Sequence, residues 1–292
     1  MTSSDAGFAG GGTVSPGHAV ISGGSSGIGL ALARSLAAAG WSLTLLGRDA
    51  ERLAAARAVV ASTGRGAGIL TCAVDVAEAA SVAQALSDAI ATHGPPSLAI
   101  ASAGMVAPGR FDDLPLAAFR RSIEVNYLGI VHLVRAALPA MRTQGKGRIV
   151  MIASGAALIG LYGYTAYAPS KFAVRGLAEA LRAELDPEGI AVSIVYPPDT
   201  DTPQLAEEAR LRPEATRRIA AGARIMSADA VAAAILRGIA RGRFVIAPGW
   251  EMSALALLHS GIAPLLYRFW MRPLIARLHG AAPEDRIMRQ ST

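Results

Sequence analysis

Short apolar runs rich in β-branched residues alternate along the chain with longer runs rich in alanine and leucine. The short runs are apolar at consecutive positions, which is typical of strands covered on both faces of a sheet. The longer runs have the composition and length of helices. This alternation predicts βαβ units, and therefore an α/β protein with a doubly wound parallel sheet between two helical layers.

The predicted elements place seven strands in one sheet, in a Rossmann-type α/β/α sandwich whose ligands bind at the carboxyl ends of the strands. The strands are expected at His18–Ser22, Ser42–Leu46, Gly68–Ala73, Ser97–Ala101, Gly147–Ala153, Ala191–Tyr196 and Phe244–Ala247, and the helices near Ile28–Ala39, Ala50–Ser62, Ala77–His93, Leu116–Met141, Tyr167–Leu185 and Ala228–Arg241.

Three regions follow from this pattern. Residues 1–17 are Gly, Ser and Ala without periodicity, which predicts a disordered leader, and they lack the charged and apolar regions of a signal peptide. Residues 18–249 form the Rossmann-type domain, in which the charged segment 199–226 is expected to fold over the site as a lid. Residues 250–292 form an apolar and basic tail.

A glycine-rich turn, Gly23-Gly-Ser-Ser-Gly-Ile-Gly29, follows the first predicted strand and opens the first helix. Glycines allow the backbone to turn sharply and to approach a pyrophosphate, and the helix N-terminus supplies N–H donors. No Gly-Lys-Ser/Thr follows, so the turn is not a Walker loop. The turn therefore predicts a dinucleotide site formed by Gly23, Ser25, Ser26, Gly27, Ile28 and Gly29.

The second strand ends at Gly47 and is followed by Arg48, where an acidic residue would instead bind a ribose 2′-hydroxyl. An arginine suits a 2′-phosphate through its charge and planar donors, which favours NADP(H) over NAD(H). The alternative is that Arg48 is an ordinary surface residue before the next helix.

Two further strand ends supply cofactor candidates. Asp75 and Val76 follow the third strand, where the carboxylate either accepts from the adenine amine or caps a helix. Ala103 and Gly104 follow the fourth strand and are small enough for the backbone to pass close to the cofactor.

Tyr167 and Lys171 are four residues apart on a predicted helix, so they share one face, and Ser154 ends the fifth predicted strand. Reduction of a ketone needs a proton for the oxygen, and a phenol whose pKa is lowered by a neighbouring ammonium supplies it. Ser154 is expected to hold the carbonyl oxygen. Asn126, inside a helical run, either fixes a water near Lys171 or is a solvated helix residue. Tyr164 lacks a lysine four residues later and is not expected to react.

Composition narrows the function further. Hydrophobic residues make up 52% of the 292, the net charge is +6, and Lys146 and Lys171 are the only lysines among 28 basic residues. No basic run interleaves with aromatic residues, so nucleic acid is not an expected partner. Cys72 is the single cysteine, which favours a reducing compartment, and the five histidines lack metal-ligand spacing. We expect a cytoplasmic protein without a metal.

The segment from Trp250 to Leu278 carries much of the apolar surplus, with aromatic residues beside arginines. Pro264 and Pro273 are expected to break it, so a transmembrane helix of about 20 apolar residues is not predicted. Aromatic and basic residues together suit the membrane–water interface. The tail is therefore predicted either to contact the cytoplasmic face of a membrane through residues 250–278, or to act as a helix pair for oligomerisation or for covering the substrate.

These motifs together resemble the short-chain dehydrogenase/reductase family over roughly residues 18 to 250. The resemblance implies that Tyr167 is the acid/base in a catalytic group with Asn126, Ser154 and Lys171, that Lys171 also holds the nicotinamide ribose, and that Thr200 or Thr202 contacts the carboxamide. It also implies a homodimer or homotetramer. Two departures are Ala101-Ser-Ala-Gly104, where the family has Asn-Asn-Ala-Gly, and Pro197-Pro198, where it has Pro-Gly beside the nicotinamide.

The segments Gly163–Leu181 and Val195–Pro203 resemble one branch of the family, which uses NADPH to reduce the C3 ketone of 3-ketodihydrosphingosine, a long-chain sphingoid base, to sphinganine. The apolar segment Ala156–Tyr162 suits an alkyl chain, and Asp199 or Asp201 is a candidate partner for the substrate ammonium. The alternatives are a reductase of another lipophilic ketone (a steroid, fatty-acyl or N-acylated sphingoid compound), a silent nucleotide-binding regulator, and a membrane scaffold.

Overall fold

The computed structural model describes residues 16–63, 68–222 and 224–280. Most of the predicted leader, residues 1–15, and the last twelve residues of the tail, 281–292, therefore lie outside the described residues. Seven strands form one parallel sheet in the order β3-β2-β1-β4-β5-β6-β9, and a separate pair, β7 and β8, lies beside it. The predicted doubly wound α/β fold is confirmed.

The strands of the main sheet agree with the predicted ones to within one or two residues at each end. The strands are β1 His18–Ser22, β2 Ser42–Gly47, β3 Ile69–Ala73, β4 Leu98–Ala101, β5 Gly147–Ile152, β6 Ile190–Val195, β7 Thr200–Asp201, β8 Met226–Ser227 and β9 Val245–Ile246. The helices are α1 Gly27–Ala38, α2 Ala50–Thr63, α3 Ala79–His93, α4 Leu116–Ile123, α5 Gly129–Gln144, α6 Tyr167–Leu185, α7 Pro203–Leu211, α8 Glu214–Ala220, α9 Ala228–Ala240, α10 Trp250–Leu266 and α11 Arg272–Gly280.

The sheet is buried on both faces, as its continuous apolar strands require. Successive residues of β1 point to opposite sides. Val20 belongs to the core cluster that includes Val174 of α6, and Ile21 to the cluster that includes Leu32 of α1. The chain crosses from one side of β1 to the other between β3 and β4, so a crevice forms at the carboxyl ends of β1 and β4.

The predicted single helix Leu116–Met141 is divided by a π-helical turn, Glu124–Leu128, between α4 and α5. A π turn widens the helix by one residue and is frequent at functional sites. Asn126 lies in this turn and is fully buried. The prediction of one regular helix was wrong here because a π turn carries no composition signal.

The tail is more regular than its sequence predicts. Helix α10 continues through Pro264, a π turn follows at Tyr267–Met271, and α11 includes Pro273 near its start. The π turn shifts the hydrogen-bond ladder just before Pro273, a residue without an N–H to contribute. The expected breaks at the two prolines were therefore wrong. Within the described ranges, no helix is both long and apolar enough to cross a membrane.

Candidate active site

Tyr167 and Lys171 occupy the first two turns of α6, and the Lys171 Nζ atom lies 5.7 Å from the centre of the Tyr167 ring. Lys171 is buried and donates to the backbone oxygen of Ile152, at the end of β5, over 3.0 Å. Burial without a carboxylate partner lowers the pKa of Lys171 to about 8. The predicted phenol and amine therefore lie side by side next to the end of β5.

Ser154 follows β5 and starts a short 3₁₀ helix, Gly155–Ala157. Its side-chain oxygen accepts from the N–H of Ala156 over 3.1 Å, and its hydroxyl lies close enough to the Tyr167 phenol to favour a lower pKa of that phenol. The backbone contact fixes the hydroxyl of Ser154 beside the phenol. A carbonyl oxygen placed between these two hydroxyls would receive two hydrogen bonds.

The pKa of Tyr167 is raised from its ordinary value, mainly because burial disfavours the charged phenolate. The hydrogen bond from Ser154 opposes this effect, and the carboxylates of Glu208 and Asp199 add to it. The sequence predicts that the pKa of Tyr167 is lowered, because the ammonium of Lys171 would favour the phenolate. That prediction is wrong for the protein by itself, because desolvation outweighs the favourable contacts. Tyr167 is therefore held in its protonated, donating form.

Asn126 connects three segments of the site. Its side-chain oxygen accepts from the N–H of Met105 over 2.8 Å, and its amide nitrogen donates to the Met105 carbonyl and to the Ser170 hydroxyl, both over 2.9 Å. Ser170 in turn donates to the Tyr167 carbonyl over 2.6 Å. The alternative of a solvated helix residue is wrong, and the side chain of Asn126 is used to hold the loop after β4 against α6.

The glycine turn, the strand ends and the catalytic group enclose one cavity of about 1300 Å³. Most of the predicted cofactor and catalytic residues line it: Gly23, Ser25, Ser26, Gly27, Ile28, Arg48, Asp75, Val76, Ala103, Gly104, Ser154, Tyr167, Lys171, Pro197, Thr200 and Thr202. Gly29 and Asn126 are buried behind the lining residues. Gly29 and Asn126 support the residues that line the cavity, and their roles in cofactor binding and catalysis stay predictions.

The glycine turn is tightly packed, as close approach to a ligand requires. Gly23 has φ of 69°, and a Cβ atom there would lie 2.8 Å from the backbone of Ala103. A Cβ atom at Gly29 would lie 2.2 Å from the Gly23 carbonyl oxygen, so Gly29 supports the turn from within α1. At Gly104 a Cβ atom would lie 3.6 Å from Lys171 Nζ. The absence of a side chain at Gly104 therefore keeps this side of the cavity open.

A family model described as short chain dehydrogenase matches residues 17–212. The chain belongs to the short-chain dehydrogenase family. It is 38% identical over 251 residues to 3-dehydrosphinganine reductase of Danio rerio, across 85% of this chain and 76% of that protein. It is equally similar, over the same shares, to 3-ketodihydrosphingosine reductase of Bos taurus. The 3-dehydrosphinganine reductase TSC10B of Arabidopsis thaliana is 35% identical over 87% of this chain and 76% of that protein.

Two solved structures share the fold. A family member from Burkholderia phymatum in complex with NAD has a TM-score of 0.75 at 28% identity, covering 89% of this chain and 96% of that one. Levodione reductase has a TM-score of 0.74 at 25% identity, covering 82% and 98%. This short-chain dehydrogenase is therefore an oxidoreductase of a fold that binds a nicotinamide dinucleotide. The glycine cradle and the open cavity fit such a ligand.

Two exposed arginines line the cavity of the dehydrogenase close to the end of β2. Arg48 was predicted from the end of β2, whereas Arg52, in the first turn of α2, was missed, and both line the cavity. Asp75 accepts from the N–H of Ala77 over 3.0 Å and pairs with Arg121, and these contacts lower its pKa against the effect of burial. Asp75 is therefore not the N-cap of α3, which is Glu78.

At the other end of the cavity, the structure brings together a charged cluster that sequence reasoning missed. The Tyr164 hydroxyl donates to Glu208, and Arg212 donates to Glu208 over 2.6 Å and to Asp199 over 3.1 Å. Burial and the two carboxylates raise the pKa of Tyr164. Asp201 is exposed and outside the cavity, so of the two predicted ammonium partners only Asp199 faces the ligand side.

The segment 199–226 forms β7, α7, α8 and β8 along the cavity, and Thr202 caps α7 by accepting from Leu205 over 3.2 Å. A Cβ atom at Gly27 would lie 2.9 Å from Thr202 Cγ2, so this segment starts directly above the glycine turn.

Among the described residues, His, Cys, Asp and Glu side chains form no group of three that could hold a metal ion.

Proposed function

We propose that this short-chain dehydrogenase uses NADPH to reduce the C3 ketone of 3-ketodihydrosphingosine to sphinganine. The observation that carries the proposal is its similarity, across at least 85% of the chain, to reductases named for this substrate in an animal and a plant. The hydroxyls of Ser154 and Tyr167, next to each other and beside Lys171, support ketone reduction over a silent regulator or a scaffold.

In this reaction the Ser154 hydroxyl and the Tyr167 phenol both donate to the substrate oxygen, and Tyr167 transfers its proton as the oxygen gains charge. The ammonium of Lys171 stabilises the phenolate that remains, and the bond from its Nζ to the Ile152 carbonyl fixes its position. When bound, the dinucleotide supplies the hydride for C3. Asn126 and Ser170 position α6, and contact no reacting atom.

NADPH is favoured over NADH by Arg48 and Arg52. Both are exposed at the nucleotide end of the cavity, and the strand end at Gly47 lacks the carboxylate that would bind a 2′-hydroxyl. A guanidinium binds phosphate through charge and paired donors. Arg52 also pairs with Asp49 over 3.4 Å, and both residues line the cavity beside Arg48.

A free amine on the substrate is favoured by the charged cluster at the other end. Glu208 and Asp199 together with Arg212 carry one net negative charge, and Glu208 and Arg212 are almost fully buried. A substrate ammonium next to the ketone would balance this charge, whereas an N-acyl amide would not. Glu208 and Asp199 therefore replace the pair Asp199 and Asp201 as the proposed partners of the amine.

The tail is proposed to contact the cytoplasmic face of a membrane. Trp250, Tyr267 and Phe269 are 73%, 57% and 69% exposed, and Arg268 and Arg272 are exposed beside them. Aromatic residues with arginines bind the lipid interface, and a lipid substrate must leave a bilayer. A double variant, Tyr267→Ser with Phe269→Ser, should lose sedimentation with anionic liposomes. Unchanged sedimentation would contradict the membrane contact and favour the predicted homodimer or homotetramer interface.

The proposed activity is tested by the consumption of NADPH with 3-ketodihydrosphingosine beside its N-acylated form, a steroid ketone and a fatty-acyl ketone. We expect kcat/KM to be highest for the free sphingoid ketone and NADH to be a poor substitute. Equal or greater kcat/KM with another ketone would overturn the assigned substrate and favour the reductase of a different lipophilic ketone.

A further inference from the structure

One face of the C-terminal tail forms part of the cavity that holds the catalytic group. Met252, Leu255 and Leu266 of α10 and Trp270 of the following π turn all line it, as does the exposed Glu251 at the start of α10. Met252 is buried, and Leu255 and Leu266 are partly buried against the core. The tail therefore has an inward apolar face as well as the exposed aromatic face described above.

The tail begins directly over the catalytic serine. A Cβ atom at Gly155, the residue after Ser154, would lie 3.1 Å from Met252 Cε. This distance is tighter than an ordinary contact, so a side chain at position 155 would require the methionine methyl group to shift. The apolar wall contributed by α10 thus starts within one residue of the hydroxyl that is proposed to hold the ketone oxygen.

Helix α10 is also joined to the catalytic helix near its middle. Arg175 of α6 donates to His259 Nε2 over 2.7 Å, and its Nε atom donates to Glu179 over 2.8 Å. Since a guanidinium can only donate, His259 accepts at Nε2 and keeps its hydrogen on Nδ1, which faces the Ala256 carbonyl at 3.3 Å. This contact holds the inward face of α10 at a fixed position along α6.

Other apolar side chains complete a channel around this face. Ala156 and Ile159, which follow the catalytic serine, and Ile219 of α8 are buried and line the same cavity, together with the partly buried Leu161. Trp270 lines the cavity and is 42% exposed, so it lies at the mouth of the cavity. The cavity thus offers an apolar path from Ser154 towards the outer face of the tail.

We infer that the inward face of α10, with Leu255 at its centre, binds the alkyl chain of the substrate and sets the chain length that the enzyme accepts. The inference rests on the proposed function, because only a ketone with a long alkyl chain needs such a path. Each methylene buried from water contributes about 0.8 kcal/mol, which is roughly a fourfold gain in affinity. Chain length should therefore control kcat/KM steeply.

The test uses homologous 2-amino-1-hydroxy-3-ketones that differ only in the length of the alkyl chain, assayed with the full-length protein and NADPH. Leu255→Trp fills the path and should lower kcat/KM for the longest homologue about tenfold, while the shortest changes less than about twofold. Leu255→Ala removes contacts and should flatten the rise of kcat/KM with chain length. Leu257→Trp and Leu257→Ala are matched controls, because Leu257 is 82% exposed and outside the cavity.

Chain-length dependence that changes in the Leu255 variants and stays as in wild type in the Leu257 variants supports the inference. Equal profiles for the variants at both positions would overturn it, as would a wild-type kcat/KM that is independent of chain length. Should Leu255→Trp not fold, the comparison of Leu255→Ala with Leu257→Ala tests the inference by itself. Absence of reduction for every homologue in wild type would instead overturn the proposed function, and the alkyl-chain site with it.

Discussion

The side-chain amide of Asn126 donates to the hydroxyl of Ser170 over 2.9 Å, and this bond joins the π turn to the helix that carries Tyr167 and Lys171. Both side chains are fully buried. Because Ser170 also donates to the Tyr167 carbonyl, one hydroxyl fixes the start of α6 against the loop after β4. The alignment of Tyr167 and Lys171 therefore depends on Ser170, a buried residue that does not line the cavity.

Replacing Ser170 with alanine should lower the free energy of unfolding by about 1–3 kcal/mol, since the buried amide of Asn126 loses one of its two acceptors. It should also lower kcat more than it raises KM, because α6 loses its alignment. Urea denaturation and steady-state kinetics measure the two effects. Ser35→Ala is the control, as the Ser35 hydroxyl donates to the Ala31 carbonyl within its own helix. Equal, small effects in both variants would refute the positioning role of Ser170.

Gly29→Ala should destabilise the fold and impair dinucleotide binding, since its Cβ atom would lie 2.2 Å from the Gly23 carbonyl oxygen. The glycine turn must shift to relieve this contact, and we expect a loss of several kcal/mol, on the order of an overpacked core site. Gly176→Ala in α6 meets no atom within 4 Å and should stabilise by up to about 1 kcal/mol. Thermal denaturation with and without NADPH compares them, and similar melting temperatures would contradict the prediction.

Much of the fold could be predicted because its strands are apolar on both faces and separated by long helical runs. Helix α6 begins and ends where the sequence predicts, at Tyr167 and Leu185. The prolines of the tail predicted breaks that do not occur, since α10 continues through Pro264 and a π turn precedes Pro273. Nothing in the composition of Glu124–Leu128 marks the other π turn. Local pattern predicts an element well only when the hydrogen-bond ladder is regular.

The sequence predicted those site residues that local structure brings together, within one helix or between a strand and the helix next to it. Tyr167, Lys171 and Ser154 come together as expected, since two share a helix face and the third ends the adjacent strand. The pairing of Tyr164 with Glu208 was missed because 44 residues separate the two, and only folding brings them together. The direction of the Tyr167 pKa was wrong for the same reason, as burial depends on the whole fold.

Arg48→Ala should raise KM for NADPH by about ten- to a hundredfold and leave KM for NADH nearly unchanged, because only NADPH carries the 2′-phosphate. The charge-assisted bonds lost are worth about 1.5–3 kcal/mol. Arg57→Ala, an exposed position of the following helix α2 that does not line the cavity, is the matched control. A parallel rise of KM for both dinucleotides would exclude recognition of the phosphate by Arg48.

Lys171→Met should change how stability depends on pH. The pKa of Lys171 falls from 10.5 to about 8 on folding, so between these values the unfolded chain holds a proton that the folded protein releases. The free energy of unfolding contributed by Lys171 therefore rises with pH across this window, by on the order of 3 kcal/mol in total, and is constant below it. Urea denaturation of both proteins from pH 7 to pH 10 measures the difference. A difference independent of pH would mean that burial leaves the ammonium unperturbed.

The central claim is that the Tyr167 phenol supplies the proton to a sphingoid ketone. It is tested most directly by single-turnover oxidation of NADPH with 3-ketodihydrosphingosine in wild type, Tyr167→Phe and Tyr267→Phe, a control that removes a hydroxyl from an exposed ring. We predict that Tyr167→Phe binds NADPH as wild type does but reduces the ketone at least about a hundredfold more slowly, while Tyr267→Phe is unaffected. Reduction at the wild-type rate by Tyr167→Phe would contradict the account.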